Sequence, residues 1–208
     1  MRFTDRLDAG RQLAQRLARY AGQPGLIVLG LPRGGVPVAA AVAAQLDVQV
    51  DVFLVRKLGV PGHEELAMGA IAEGGATVLN HDVIRSLAIG DAAIEQVKAR
   101  EAIELSRRER LYRGARRAPI VRDRTVVLID DGVATGSTME AAVLALRCLS
   151  PARIVVAVPV AARESLERIG QLTDEIVCVE IPPYFSAVGQ WYDDFSETTD
   201  DEVGRLLA

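Results

Sequence analysis

The sequence predicts an α/β fold in which a parallel β-sheet carries helices on both faces. One observation behind this prediction is a series of short apolar runs bounded by turn residues, which are typical of strands buried on both faces. A second is that segments with helical periodicity lie between these runs. Strands that alternate with helices form parallel sheets through right-handed crossovers. Ligands of such sheets bind beyond the carboxyl ends of the strands, so the loops there are the candidate site.

The predicted elements follow one another in a regular order. The chain opens with a helix that Thr4 can cap and that ends at Gly22 and Pro24. Apolar runs predict buried strands at 26–30, 50–55, 126–130, 153–160 and 174–182. Helical patterns predict helices at 36–46, 91–113, 137–149 and 163–170, with a short helix at the C-terminus. An antiparallel hairpin is predicted where 66–72 and 76–79 flank Glu73-Gly74-Gly75.

Composition narrows the class of protein. The chain has 208 residues, of which half are hydrophobic and a quarter charged, which indicates one globular domain and excludes a disordered chain. Of the 24 basic residues only Lys57 and Lys98 are lysine, and the formal net charge is −4. A net acidic chain is a poor candidate for coating nucleic acid without sequence preference, which requires summed positive charge.

Cysteine usage and the chain's hydropathy predict a cytoplasmic protein. Cys148 and Cys178 lie in apolar runs and match neither a disulfide framework nor the spacing of metal ligands. The N-terminus has no apolar signal region, and the apolar runs are far shorter than a membrane span. We therefore expect no contact with a membrane.

The strongest functional signal is the run from Val126 to Thr138. A buried strand ends in two adjacent acids, Asp130 and Asp131, and a loop of small residues then leads into a helix that begins near Gly136. Backbone N–H groups at the start of a helix are unpaired, and the helix dipole is positive at that end, so the loop suits a phosphate. It is not a Walker loop, because the glycine spacing is too short and no lysine follows.

These thirteen residues resemble the ribose-phosphate-binding motif of the type I phosphoribosyltransferases. The resemblance extends from about residue 26 to 195 and implies a phosphoribosyltransferase-type fold formed by a single domain, 1–208. Within it, 57–118 would be an insertion comprising a lid, a hairpin and a helix, and 182–208 a small C-terminal hood. The implied reaction transfers ribose 5-phosphate from phosphoribosyl pyrophosphate to a nitrogenous base in the presence of Mg²⁺, and releases pyrophosphate.

The same resemblance assigns roles to individual residues. The catalytic candidates are Arg33, Arg56, Lys57 and Asp131, of which the three cations would neutralise the leaving pyrophosphate. The segment 58–69 that follows Lys57 has the glycine and proline content of a moving lid. The candidates for binding the ribose phosphate and the pyrophosphate are Gly34, Gly35, Asp130, Asp131, Gly132, Val133, Ala134, Thr135, Gly136, Ser137 and Thr138.

The tail of the chain resembles the hood of the 6-oxopurine phosphoribosyltransferases. That likeness makes Trp191 or Tyr192 the ring that stacks on the base, although packing under a C-terminal flap explains both rings equally well. It makes Asp193 or Asp194 the Mg²⁺ partner, with Asp130 as a further candidate. Two departures argue against hypoxanthine or guanine: the positions that would contact the purine N7 and read its 6-oxo group hold Ala134 and Thr173. The identity of the acceptor base stays open.

Two classes of function fit this pattern. One is the phosphoribosyltransferase, and the other is a non-catalytic regulator that uses the same fold to sense a nucleotide or phosphoribosyl pyrophosphate. The segment 98–117 has eight basic and three acidic residues, so it could contact nucleic acid, although a solvated helix face or an oligomer contact suits it better. A homodimer is the default expectation for the assembly.

Overall fold

The computed structural model describes residues 2–208 and contains seven α-helices and eight strands in that range. In chain order they are α1 (Arg6–Arg16), β1 (Ile27–Gly30), α2 (Gly35–Leu46), β2 (Val50–Val52), β3 (Val55–Val60), β4 (His63–Ala72), β5 (Thr77–Leu79), α3 (His81–Ser86), α4 (Asp91–Arg113), β6 (Thr125–Ile129), α5 (Ser137–Cys148), β7 (Arg153–Val160), α6 (Arg163–Gly170), β8 (Glu175–Glu180) and α7 (Asp200–Leu206).

A parallel sheet of five strands, in the order β2-β1-β6-β7-β8, forms the centre of the fold. Alternate residues of each strand face opposite sides, so Leu29 and Leu128 pack with α5 and α6, whereas Val28 and Val127 pack with α1 and α2. Both faces are therefore covered by helices, which explains the uninterrupted apolar runs. The predicted α/β class and the predicted parallel sheet are confirmed.

The chain leaves the parallel sheet earlier than predicted. Residues 50–55 were expected to form one strand, but only Val50–Val52 pairs with β1, and Val55 already belongs to a second sheet. This antiparallel sheet has the order β3-β4-β5. The apolar run could not show the change, because a buried strand in either sheet has the same composition. The expected hairpin across Glu73–Gly75 is confirmed as β4 and β5.

The segment predicted to be a lid is a β-hairpin. β3 and β4 pair across Pro61 and Gly62, with register shifts near the turn. Glycine and proline in this segment therefore mark the tight turn of a hairpin, and the movement of this hairpin as a lid stays a prediction. The short helix α3 was also not anticipated from the sequence.

A buried arginine joins this second sheet to the parallel sheet. The side chain of Arg113, at the end of α4, is inaccessible to solvent. It donates to both carboxylate oxygens of Glu73, to Asp51 Oδ1 at 2.9 Å and to the carbonyl of Val52 at 2.6 Å. Arg113 therefore links α4 to β2 and to the turn that follows β4.

Several other charges of α4 form ion pairs along its surface. Glu104 accepts hydrogen bonds from Arg107 and Arg108, which lower the pKa of its carboxyl to about 2. Lys98 pairs with Glu95 at 2.8 Å. This pairing favours the interpretation of 98–117 as a solvated helix face over a nucleic-acid surface.

Two smaller findings concern the ends of helices and their length. Asp5, and not Thr4, caps α1: its carboxylate accepts a hydrogen bond from the backbone of Asp8. Along residues 2–208, none of the helices combines the length and the apolar character that crossing a membrane requires.

Candidate functional site

The loops that follow β1 and β6 lie side by side, because these strands are neighbours in the sheet. The loop after β1 packs directly on the acids after β6. A Cβ atom on Gly34 would lie 2.0 Å from Asp131 Oδ2, and one on Gly35 would lie 2.6 Å from Ile129 O. The sequence suggested that these glycines allow an anionic ligand to approach. In the structure the contact between the two loops already requires them.

The loop 132–138 has the geometry of a phosphate-binding site. Gly136 has φ of 80°, which L residues rarely adopt, and it turns the chain into the first turn of α5. The described chain provides no acceptor for the backbone N–H groups of residues 135–138. Ser165 Oγ and Arg168 Nη2 donate to the carbonyls of Ala134 and Thr135, each at 2.5 Å, and thereby fix the loop. The exposed Thr135, Ser137 and Thr138 add hydroxyl donors.

The two acids at the end of β6 occupy a setting that disfavours negative charge. Burial raises the pKa of Asp130, and the adjacent charge of Asp131 raises it further. Burial also raises the pKa of Asp131, but the hydrogen bond and the positive charge of Arg6 act in the opposite direction. Arg6 Nε donates to Asp131 Oδ2 at 2.8 Å, and both side chains are about nine-tenths buried, with 12% and 13% exposed.

A cavity of about 400 Å³ opens beside these acids. Its walls come from α1, from both loops and from the tail of the chain, and include Arg6, Arg33, Asp131, Phe195, Glu197 and Thr198. Arg33 forms an ion pair with Glu197. The structure thus places Arg33 beside Asp131, as the predicted site requires. It adds Arg6, which belongs to no motif, and Glu197, to which the likeness of the tail assigns no role; both are far from the loops in the chain.

Arg56 and Lys57 do not line this cavity. Both lie in β3, where successive side chains point to opposite faces of the sheet. Arg56 is tied to Glu101 of α4 at 2.7 Å, and Lys57 Nζ donates to the carbonyl of Glu65 across the hairpin at 3.1 Å. In the structure both side chains are held by other partners, and the expectation that they act with Arg33 on one leaving group stays a prediction.

Tyr192 is not the ring that stacks on a base. It is 3% exposed and packs on Phe3, with ring centroids 5.4 Å apart. Its hydroxyl donates to the carbonyl of Asp131 at 2.5 Å, and burial raises its pKa. Trp191 packs against the same small cluster, which contains Phe3, Ala9, Val160 and Tyr192. The alternative interpretation, packing within the protein, therefore holds for Tyr192, whereas Trp191 is only partly buried and its stacking role stays a prediction.

A different aromatic residue of the tail is available to a ligand. Tyr184 is 89% exposed and lines a cavity of about 560 Å³. Phe185 and Arg163 lie in the same wall. This cavity is formed by the segments that follow β7 and β8, so it belongs to the carboxyl edge of the parallel sheet, where ligands of such folds bind. The sequence directed attention to these loops but not to this ring.

The predicted metal partners in the tail are dispersed. Asp193 is exposed and lies 3.7 Å from Arg2, and Asp194 accepts a hydrogen bond from the backbone of Ser196 at 2.9 Å. Neither lines the cavity of Arg33 and Asp131. Within 2–208 no three His, Cys, Asp or Glu side chains form a group that could hold a metal ion. Of the three candidates only Asp130 lies beside the phosphate loop.

The comparison with known families agrees with this geometry. A family model described as the phosphoribosyl transferase domain matches residues 3–194. Proteins from two strains of Mycobacterium tuberculosis, provisionally named phosphoribosyl transferases, are 50% identical to this chain over 206 residues. The match covers 99% of this chain but only 46% of theirs, so the chain spans about half the length of these curated relatives.

Solved structures resemble all or most of the chain. The crystal structure of TT1426 from Thermus thermophilus is 46% identical and has a TM-score of 0.90, with 100% of this chain and 98% of that one covered. A protein of Aquifex aeolicus, at 12% identity and a TM-score of 0.53, covers 88% of this chain and 78% of its own, and shows the fold alone.

Proposed function

Because this chain belongs to the family of the phosphoribosyl transferase domain, we propose that it transfers the 5-phosphoribosyl group of phosphoribosyl pyrophosphate to a nitrogenous base. Mg²⁺ accompanies the donor, and pyrophosphate is the second product. One observation carries this proposal. Free backbone N–H groups at the start of α5 stand next to two acids at the end of β6, and together they match the 5-phosphate and the hydroxyls of a ribose phosphate.

The phosphate loop anchors the donor. Residues 135–138 offer backbone N–H groups and three hydroxyls to the 5-phosphate, and the dipole of α5 favours its negative charge. Because Arg168 and Ser165 already hold two carbonyls of the loop, binding costs little ordering of the backbone. The role of this loop is to fix the distance between the phosphate and the reacting carbon.

The acids then hold the sugar. Asp130 and Asp131 accept hydrogen bonds from the ribose hydroxyls, which replaces part of the solvation they lack in the free protein. In the reaction the bond between C1 and the pyrophosphate oxygen breaks and the oxygen keeps the electron pair. The acceptor nitrogen forms a bond to C1 and its proton passes to solvent. Positive charge that develops on the ribose ring is stabilised by nearby carboxylates.

Arg33 binds the leaving group, and the acids after β6 would hold a Mg²⁺ ion beside it. Arg33 lies in the loop after β1 and faces the cavity beside Asp131, so it can donate to the pyrophosphate oxygens. Mg²⁺ suits this site because it prefers phosphate oxygens and water to a dedicated protein cage, and two carboxylates stand nearby. When bound, the ion neutralises the charge of the leaving group. Asp130 and Asp131 are the residues that would hold its water ligands.

The acceptor base fits the second cavity of the carboxyl edge. Tyr184 offers an exposed ring for stacking, and Arg163 offers a donor for an anionic or carbonyl group of the base. This assignment replaces Tyr192, whose ring is buried against Phe3, and prefers the exposed ring of Tyr184 to the partly buried Trp191. It leaves open which base is used.

A panel of bases tests the activity. Release of pyrophosphate is measured with phosphoribosyl pyrophosphate, Mg²⁺ and each of several purines and pyrimidines. We expect turnover with at least one base. Asp131→Asn should lower that turnover by about tenfold or more, the size expected for a lost charge-assisted hydrogen bond. Asp47→Asn, a change at an exposed residue far from the motif, serves as the control. Donor binding without turnover for any base would identify the non-catalytic regulator instead.

A further inference from the structure

The N-terminal segment is fastened to the tail of the chain beside the donor site. The backbone N–H of Phe3 donates to the carbonyl of Trp191, and that of Asp193 donates to the carbonyl of Phe3, both at 2.8 Å. The N–H of Asp194 donates to the carbonyl of Thr4 at 2.9 Å. These hydrogen bonds place the first residue of α1, Arg6, at the edge of the cavity that contains Arg33.

The guanidinium of Arg6 is held in one orientation. Nε donates to Asp131 Oδ2 at 2.8 Å, Nη1 donates to the carbonyl of Ser196 at 2.7 Å, and the group lies 4.0 Å from the centre of the Phe195 ring. Arginine has five N–H donors. The Nη2 donors of Arg6 have no acceptor among residues 2–208. A rigid, mostly buried cation with unused donors therefore borders the cavity.

We propose that Arg6 is a second cation, besides Arg33, that binds the pyrophosphate group of phosphoribosyl pyrophosphate in this site. This inference rests on the proposed function. The two arginines bind the pyrophosphate from opposite sides. A diphosphate carries several negative charges, and two arginines from different elements can bind it from two sides. The planar guanidinium matches phosphate oxygens in pairs. Asp131 and Phe195 hold the side chain in place, so little side-chain entropy is lost on binding.

Ligand binding by the wild type and by two variants of Arg6 tests this inference. Binding of inorganic pyrophosphate and of ribose 5-phosphate, each with Mg²⁺, is measured by calorimetry for the wild type, Arg6→Gln and Arg6→Lys. We expect Arg6→Gln to weaken pyrophosphate binding by about tenfold or more, and ribose 5-phosphate binding by no more than about threefold. Arg6→Lys should fall between the wild type and Arg6→Gln, because it keeps the charge but not the paired donors.

The control and the contrary outcomes separate this inference from the proposed function. Arg11→Gln removes an exposed arginine from the same helix and should bind both ligands like the wild type. If Arg6→Gln and Arg6→Lys bind pyrophosphate like the wild type, or lose ribose 5-phosphate to the same extent, Arg6 does not bind the pyrophosphate. In that case it only supports Asp131, and the proposed function stands. A wild type that binds neither ligand overturns both. A variant that fails to fold is identified by its unfolding curve, and the other variant then decides.

Discussion

At the scale of single residues, the acids of the site favour ligand binding at the expense of stability. A carboxyl whose pKa is raised in the folded protein binds its proton more tightly there than in the unfolded chain. Its contribution to stability is complete below the unfolded pKa and is lost as the pH rises through the folded value. Asp130 is such a group, because burial and its neighbour Asp131 both raise its pKa.

Asp130→Asn should therefore stabilise the protein at pH 7. Burial and the charge of Asp131 both disfavour the carboxylate of Asp130, so we expect the neutral amide to increase the free energy of unfolding at this pH. The gain should shrink as the pH falls, because the wild-type carboxyl then takes up a proton. Urea unfolding at several pH values measures it. A variant that is less stable than the wild type at pH 7, or a gain that grows as the pH falls, would contradict this explanation.

The ion pair of Arg33 and Glu197 gives a prediction about ligand affinity, with little effect on stability. Glu197 is 74% exposed, so its pairing with Arg33 contributes at most about 1 kcal/mol. Glu197→Gln frees Arg33 for an anionic ligand and should strengthen pyrophosphate binding by about two- to fivefold. Stability should stay within about 0.5 kcal/mol of the wild type. Glu167→Gln, at an exposed residue of α6, is the matched control and should leave the affinity unchanged.

At the scale of elements, the start of α5 is the part of the site that the sequence predicts best. Its signal is local: an apolar strand, two acids and a small-residue loop are adjacent in the chain, and their geometry follows from the strand-to-helix junction. β3 shows the limit of such reasoning. Its partner strands are decided by tertiary packing, because an apolar run fits either sheet.

Gly136→Ala tests the junction. An L residue at φ of 80° costs about 1–2 kcal/mol, and the new Cβ would lie 3.3 Å from Glu140 Oε1 and from Ser165 Cβ. We expect that loss of stability together with a weakening of ribose 5-phosphate binding by about tenfold or more. Gly204→Ala is the control: it lies inside α7 with no atom within 4 Å of the added carbon, so stability should rise slightly and binding should not change. Equal binding by the two variants would refute the role of the loop.

At the scale of the whole molecule, the attachment of the second sheet depends on a buried charge. Arg113→Met would leave Glu73 buried without its partner, and such losses cost about 3–5 kcal/mol. The double variant Arg113→Met/Glu73→Gln should recover at least about 1 kcal/mol of this, because it removes the orphaned charge. Arg110→Met, at an exposed residue of the same helix, should change the free energy of unfolding by less than about 0.5 kcal/mol. Denaturant unfolding curves of the four proteins give these values.

The candidate site also depends on segments that are distant from one another in the chain, and their contribution to it could not be predicted from the sequence. Arg6 and Asp131 are 125 positions apart in the chain, and no motif of the sequence connects them. Arg6 reaches Asp131 only because Phe3 pairs with the tail next to the end of β6. The same packing buries Tyr192, whose aromatic ring the sequence had suggested for stacking on a base. Local motifs therefore predict the phosphate loop and the acids, whereas the cations and rings around them depend on the folded chain.

The most direct test of the central claim is equilibrium binding of phosphoribosyl pyrophosphate in the presence of Mg²⁺, measured by calorimetry. We predict one donor bound per chain, an affinity at least about tenfold lower in Gly136→Ala, and wild-type affinity in Gly204→Ala. Absence of binding by the wild type, or equal affinity in the wild type and Gly136→Ala, would contradict a donor site at the start of α5.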